Sequence, residues 1–306
     1  PKVHMELEGG EVVMPVYHPH RAVRSIRPQA GHPWQLAQDI HRPEDVMPAL
    51  LGGAEALRLW GCPDPSRWLD GVEQEFVDIE WMVDRAGDRS PEDIPKRGGV
   101  LLDGWVTAEV ARHVQSVDAS GGTHARVVHL DTERWQGATT GKRLALLSRA
   151  LKQLGPLLGH AWDRISIDWT LDADPVVGLA QAEALKRTIA DVVNTDEWPR
   201  IRVNPSTAHT SEASGRDNLI RQGLSNAAGV LCGVDAVGAG NLPAAGDVPD
   251  VQQADKWSRN ALHLFREESG LGRVEAVVSP LVDALAEGFA TAADRYSAAW
   301  KEAGLE

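Results

Sequence analysis

The feature that most constrains this chain is a rhythm. From Ala125 onward, short strand-like runs alternate with amphipathic segments of helical length. Ala125 to Asp131 (ARVVHLD) reads as a strand and Thr140 to Leu154 as a helix stopped by Gly155-Pro156. Arg164 to Thr170 (RISIDWT) reads as a strand, Pro175 to Asn194 as a helix, and Arg200 to Asn204 as a strand. A helix from Arg216, a strand around Gly233 to Val237 and a helix from Val251 to Glu268 continue the series. Leu281 to Ala303 is a last amphipathic helix. Strands separated by helices at this spacing cannot pair as hairpins; they form βαβ units and a parallel sheet.

The first half is harder to read. Glu44 to Leu50 suggests a short helix started by Pro43, and Ala56 to Trp60 (ALRLW) a strand closed by Gly61. Apolar residues from Trp68 to Val83 recur mostly at spacings of three and four, which predicts one helix with a buried face, FVDIEW included. Gly98 to Gly104 predicts a strand, and Thr107 to Val117 a helix capped by Thr107. That makes six or seven units. The expected fold is a (β/α)8 TIM barrel, trimmed or irregular: residues 1–25 form an arm, 26–278 the barrel, and 279–306 a C-terminal helix packed on it.

Barrel strands alternate between the helix layer and the axis. The apolar members (Ile165, Ile167 and Trp169 in RISIDWT) should meet the helices, so the polar members point inward. This predicts an axis holding Arg58, Asp103, His129, Asp131, Ser166, Asp168, Arg202, Asn204 and Asp235. Asp103, Asp131, Asp168, Asn204 and Asp235 are expected near the C-terminal strand ends, the face on which barrel chemistry is built. Buried charge persists only if it is paired, solvated or met by a ligand. Two readings therefore stand: a ligand cavity along the axis, or an ion-pair network in an inert barrel. His129 beside Asp131, and His209 after a strand end, are candidates for acid–base work, with Asp168 as a third catalytic candidate. No spaced metal-ligand motif accompanies these aspartates, and the glycines at 233, 238 and 240 match no phosphate-binding pattern.

Composition excludes some partners. The net charge of −13, with no basic cluster, argues against nucleic acid. No apolar run approaches a membrane span and no signal peptide is visible, so a soluble protein is expected. Two isolated cysteines, Cys62 and Cys232, fit a reducing cytoplasm.

Several segments resemble the methylmalonyl-CoA mutase superfamily. Asn218-Leu219-Ile220-Arg221, Cys232-Gly233-Val234-Asp235-Ala236, and Ser258-Arg259-Asn260 followed by Glu267-Glu268-Ser269-Gly270-Leu271-Gly272-Arg273-Val274 are similar to the last barrel units of that family. Ile26 to Gly31 and Gly137-Ala138-Thr139-Thr140 resemble two shorter family segments. The resemblance implies an isomerase-type barrel that threads an acyl-CoA along its axis and closes over adenosylcobalamin, here held by a separate cobalamin-binding chain. In that reading Gln29, Arg58, Asp103, Ser166, Arg202, Asn204 and Asp235 contact substrate. Departures are visible. Gln29 replaces the family's tyrosine, Thr132 stands where its histidine usually is, and no DxHxxG cobalt-ligand segment occurs. Asp131 and Asp235 resemble the family's non-catalytic small subunit. The alternatives are therefore a non-catalytic, dimer-forming subunit (a homo- or heterodimer) and a diverged barrel enzyme that uses Asp and His without cobalamin.

Overall fold

The computed structural model describes residues 5–6, 12–13, 34–85, 94–105, 107–132, 135, 137–206, 210–211, 214–239, 250–269 and 279–304. Eight parallel strands close into a barrel: β1 (Gln35–Ile40), β2 (Ala56–Leu59), β3 (Asp78–Val83), β4 (Gly98–Asp103), β5 (Arg126–Asp131), β6 (Ile165–Leu171), β7 (Arg200–Pro205) and β8 (Ala236–Gly238). Each strand pairs with its sequence neighbours, and β8 pairs with β1 to close the ring. The helices are α1 (Val46–Leu51), α2 (Pro65–Trp68), α3 (Thr107–Ala119), α4 (Thr140–Leu157), α5 (Pro175–Ala190), α6 (Gly215–Leu231), α7 (Val251–His263) and α8 (Pro280–Glu302). Outside the barrel, Met5–Glu6 pairs antiparallel with Val12–Val13. The (β/α)8 fold class expected from the rhythm is the fold observed.

Two strands complete the count. β1 has little sequence signal. β3 lies inside the stretch expected to be helical, and this corrects the helix reading of Trp68 to Val83. The helical run stops at Trp68, and the chain turns at Gly71 with a φ of 77°. Phe76, which the helical pattern would bury, is 69% exposed. From Asp78 the period is two. Ile79 and Trp81 join the core while Asp78 and Glu80 turn to the axis and meet guanidinium groups there. A smaller correction concerns α4, which continues past Gly155-Pro156 to Leu157.

Helix ends follow local chemistry. Thr139, Asp174, Ser214, Asp250 and Ser279 accept hydrogen bonds from free backbone N–H groups at the starts of α4, α5, α6, α7 and α8. After α7 the helix widens into a π turn, Leu264–Glu268. Arg266 there stacks over Trp34 and forks onto Glu55. His263 reaches the Gly52 carbonyl at 2.8 Å. Together these contacts tie the last barrel helix to the first strand and helix.

The final helix α8 is an addition to the ring and packs across α4 and α5. Arg187 on α5 pairs with Asp283 and Glu287 of α8. Sandwiched in this way, α5 buries consecutive residues from Ala180 to Leu185, which a helix with one free face would not do.

Candidate functional site

The inward positions of the eight strands form a column of charge. In the middle of the barrel Arg58 (β2) is 1% exposed, and its guanidinium is shared by four neighbours. It donates to Glu80 of β3 through Nε at 2.9 Å and again through Nη2. It also meets Asp168 and Ser166 of β6 and His129 of β5. In an eight-strand ring β2 and β6 are opposite, so the Arg58–Asp168 pair spans the barrel diameter. One layer below, Asp78 of β3 pairs with Arg200 of β7, also opposite, and with Arg126 of β5. Arg200 donates to Gln35 at 2.7 Å and Arg126 to Glu80 at 3.0 Å. The axis is thus crossed twice.

Beside Arg126 the β4–β5 register slips: Gly99 pairs with Arg126, but Leu102 with Val128. Gly98 and Gly99 permit the slip. A Cβ on either would lie 2.1 Å from a carbonyl oxygen of the neighbouring strand.

Toward the C-terminal ends, Asn204 donates to Asp168 at 3.0 Å, and Arg202 donates to Asn204 at 3.2 Å. Arg202 also pairs with Asp39 at 2.9 Å. His129 Nε2 lies 3.2 Å from Arg58 and 3.5 Å from Asp168 Oδ1. It accepts from the guanidinium in one tautomer and donates to the carboxylate in the other. Burial pushes Asp168 toward the neutral form. Arg58 first, then His129 and Arg202, overcome this and hold its pKa well below the usual carboxylate range. Glu80 is likewise lowered against burial by Arg58, Arg126 and Arg200, and Arg58 is raised well above its ordinary value by Asp168 and Glu80. These groups stay ionised at any ordinary pH, which suits bracing better than proton transfer.

Of the sequence candidates, Arg58, His129, Ser166, Asp168, Arg202 and Asn204 are brought together. Asp131 and Asp103 stand half-buried at the last positions of β5 and β4, and Asp103 accepts from the Trp105 backbone at 3.2 Å. His129 turns to Arg58 on β2 and to Asp168 on the adjacent β6. Asp235 is a correction. It precedes β8, at the N-terminal end of the barrel, where its carboxylate accepts from the Ile201 N–H at 2.8 Å and its backbone bonds to Ile201 and Gln35. It braces the entry of β7 and does not belong to the C-terminal rim. Gln29 and His209 lie outside the described residues. Asp39, Asp78, Glu80, Arg126 and Arg200 were not expected. Period-two alternation through Asp78-Ile79-Glu80-Trp81 was the signal that would have found two of them.

Above the column an aromatic string runs from His41, stacked with Trp60 at 6.5 Å, to the edge of His129 at 6.0 Å. Thr132 donates to the Asp168 carbonyl at 2.8 Å. Among the described residues no group of three or more His, Cys, Asp or Glu side chains is arranged to hold a metal ion. No helix among them is long and apolar enough to cross a membrane.

No family model matches the chain, and no curated protein matches its sequence. Among solved structures, a dihydropteroate synthase from Coxiella burnetii in complex with pteroic acid aligns at 12% identity with a TM-score of 0.38, covering 86% of this chain and 98% of that one. A likeness that weak carries no functional inference, and the fold assignment rests on the closed strand ring itself.

Proposed function

We propose that this chain is a mutase-like barrel braced across its axis, and that it serves as a non-catalytic subunit supporting a catalytic mutase chain. One observation carries the reading: the two charge pairs between opposite strands, Arg58–Asp168 and Asp78–Arg200. An acyl-CoA threaded along the axis would have to break both and leave buried charges without partners, a cost of about 3–5 kcal/mol for each. The mutase assignment itself rests on the sequence likeness at Cys232 to Ala236 and Ser258 to Arg273. Free, buried Cys62 and Cys232 suit a reducing compartment such as the cytoplasm.

A second reading keeps an isomerase. It is favoured by Asp103, Asp131 and Asn204 at the C-terminal strand ends, where a substrate headgroup could be held without entering the axis. Adenosylcobalamin does not fit the residues of this chain. The sequence has no DxHxxG segment, and His129, on the column, is 3% exposed. Cobalamin would have to be held by a domain other than this barrel.

The test is calorimetric titration with acyl-CoAs, with and without cobalamin and a cobalamin-binding chain, beside sedimentation with a catalytic mutase chain. The braced-subunit reading expects no heat with acyl-CoA and a stable heterodimer. Saturable acyl-CoA heat would overturn it in favour of the isomerase.

A further inference from the structure

Away from the axis, a cavity of about 470 Å³ opens between β1, α1 and α7. That is within the range of small-ligand sites. Its wall brings together Gln38 from β1, Gly52 after α1, and Asp255, Lys256 and Arg259 from α7. Arg259 is 8% exposed; Nη1 donates to Gln38 at 3.3 Å, and Nε is buried without a hydrogen-bond partner among the described residues. Gly52 makes this placement possible, because a Cβ there would stand 2.6 Å from Arg259 Nε. Asp255 lies one helical turn before Arg259 on the same face, yet no hydrogen bond or ion pair joins the two. The other acidic groups of the wall are committed: Asp45 is forked by Arg42 and Asp39 is paired with Arg202. Among the described residues the cavity therefore offers a guanidinium with one buried nitrogen unpaired and, a helical turn away, a half-buried carboxylate without a hydrogen bond.

We propose that this cavity binds a small zwitterion of amino-acid or dipeptide size, its carboxylate on Arg259 and its ammonium on Asp255. Two opposite charges held apart and partly desolvated are best met by one ligand carrying both complements. A singly charged ligand would leave the other group unmet. Ile40, Pro48, Ala49 and Leu51 supply apolar wall for the ligand body. Burial raises the Asp255 pKa to about 6, against Arg259 on its own helix and His41, which lower it, and with Asp45 and Asp39, which raise it. Ligand ammonium binding is therefore favoured as pH rises through that value. The inference does not depend on the braced-subunit reading, since the site is off the axis.

The test uses the full chain and glycylglycine as probe, with acetate and methylammonium as single-charge controls, followed by calorimetry and by NMR. Saturable glycylglycine binding is expected at pH 7.5, weakening roughly tenfold on Asp255→Asn and on Arg259→Gln, and weakening as pH falls through 6. Asp255→Asn removes a half-buried charge and should leave the fold intact, so it decides the matter if Arg259→Gln does not fold. Gly52→Ala, which pushes a methyl against Arg259, should also weaken binding. Absence of saturable glycylglycine binding overturns the proposal. So does binding unchanged in Asp255→Asn, or acetate binding as tightly as the dipeptide.

Discussion

The barrel axis and the cavity beside α7 are built from the same kinds of residue and behave differently. On the axis, Arg58, Arg126, Arg200 and Arg202 each meet a carboxylate from another strand. In the cavity, Arg259 and Asp255 stand a helical turn apart on one helix without pairing. The pKa directions follow. Asp168 and Glu80 are lowered despite full burial, whereas Asp255, less buried, is raised. Burial alone therefore does not mark a site. What separates scaffold from candidate site is whether each buried charge already has its complement.

The largest expected effect lies on the axis. Arg58→Ala leaves Glu80 and Asp168 facing each other's environment without their shared cation, and should cost about 3–5 kcal/mol in urea unfolding. A cost under 1 kcal/mol would mean that the network is solvated and the contrast false. The same network predicts acid sensitivity. Because the folded pKa values of Asp168 and Glu80 are depressed, their stabilisation is present above the unfolded carboxylate pKa of about 4. It is lost as pH falls through the folded values, so the contribution of these two groups to the unfolding midpoint should be level from neutral pH to roughly 5 and drop below about 4.

Next comes Gly238→Ala. Its methyl would stand 2.1 Å from Asn204 Oδ1, forcing Asn204 off Asp168, with an expected loss of about 2 kcal/mol. The cavity should respond with the opposite sign. Asp255 has a raised folded pKa of about 6, so it opposes folding increasingly as pH rises from the unfolded carboxylate value of about 4 through 6. Asp255→Asn should stabilise by about 1 kcal/mol at pH 7.5, after allowance for its partial exposure, and by roughly a third of that at pH 4.5. Equal effects at both pH values would remove the charge explanation. The smallest effect belongs to the rim of α8, where Asp283→Asn breaks the pair with Arg187 at the surface and should cost less than about 1 kcal/mol.

Reading the strands was easiest where both neighbours of the polar residue are β-branched or aromatic. RISIDWT declared Ser166 and Asp168 inward because Ile165, Ile167 and Trp169 could only face helices. DIEWMV carries the same alternation, but the apolar residues before it mimic a helical period, and only pairing with β2 and β4 on either side makes it a strand. Asp235 was misplaced for a related reason. One residue decides whether a side chain sits at the mouth or the base of a three-residue strand, and that register is set by pairing with β7.

By itself, then, the chain's alternation of period-two and helical segments determined a parallel barrel and which faces of β5, β6 and β7 turn inward, because those depend on local periodicity. Tertiary structure alone decided that Arg58 meets Asp168 across the diameter, and that Arg259, beside Gly52, meets Gln38 and leaves its buried Nε unpaired among the described residues. Such pairings join residues far apart in sequence, 110 positions in the case of Arg58 and Asp168. They depend on ring closure and strand register, which no local pattern encodes.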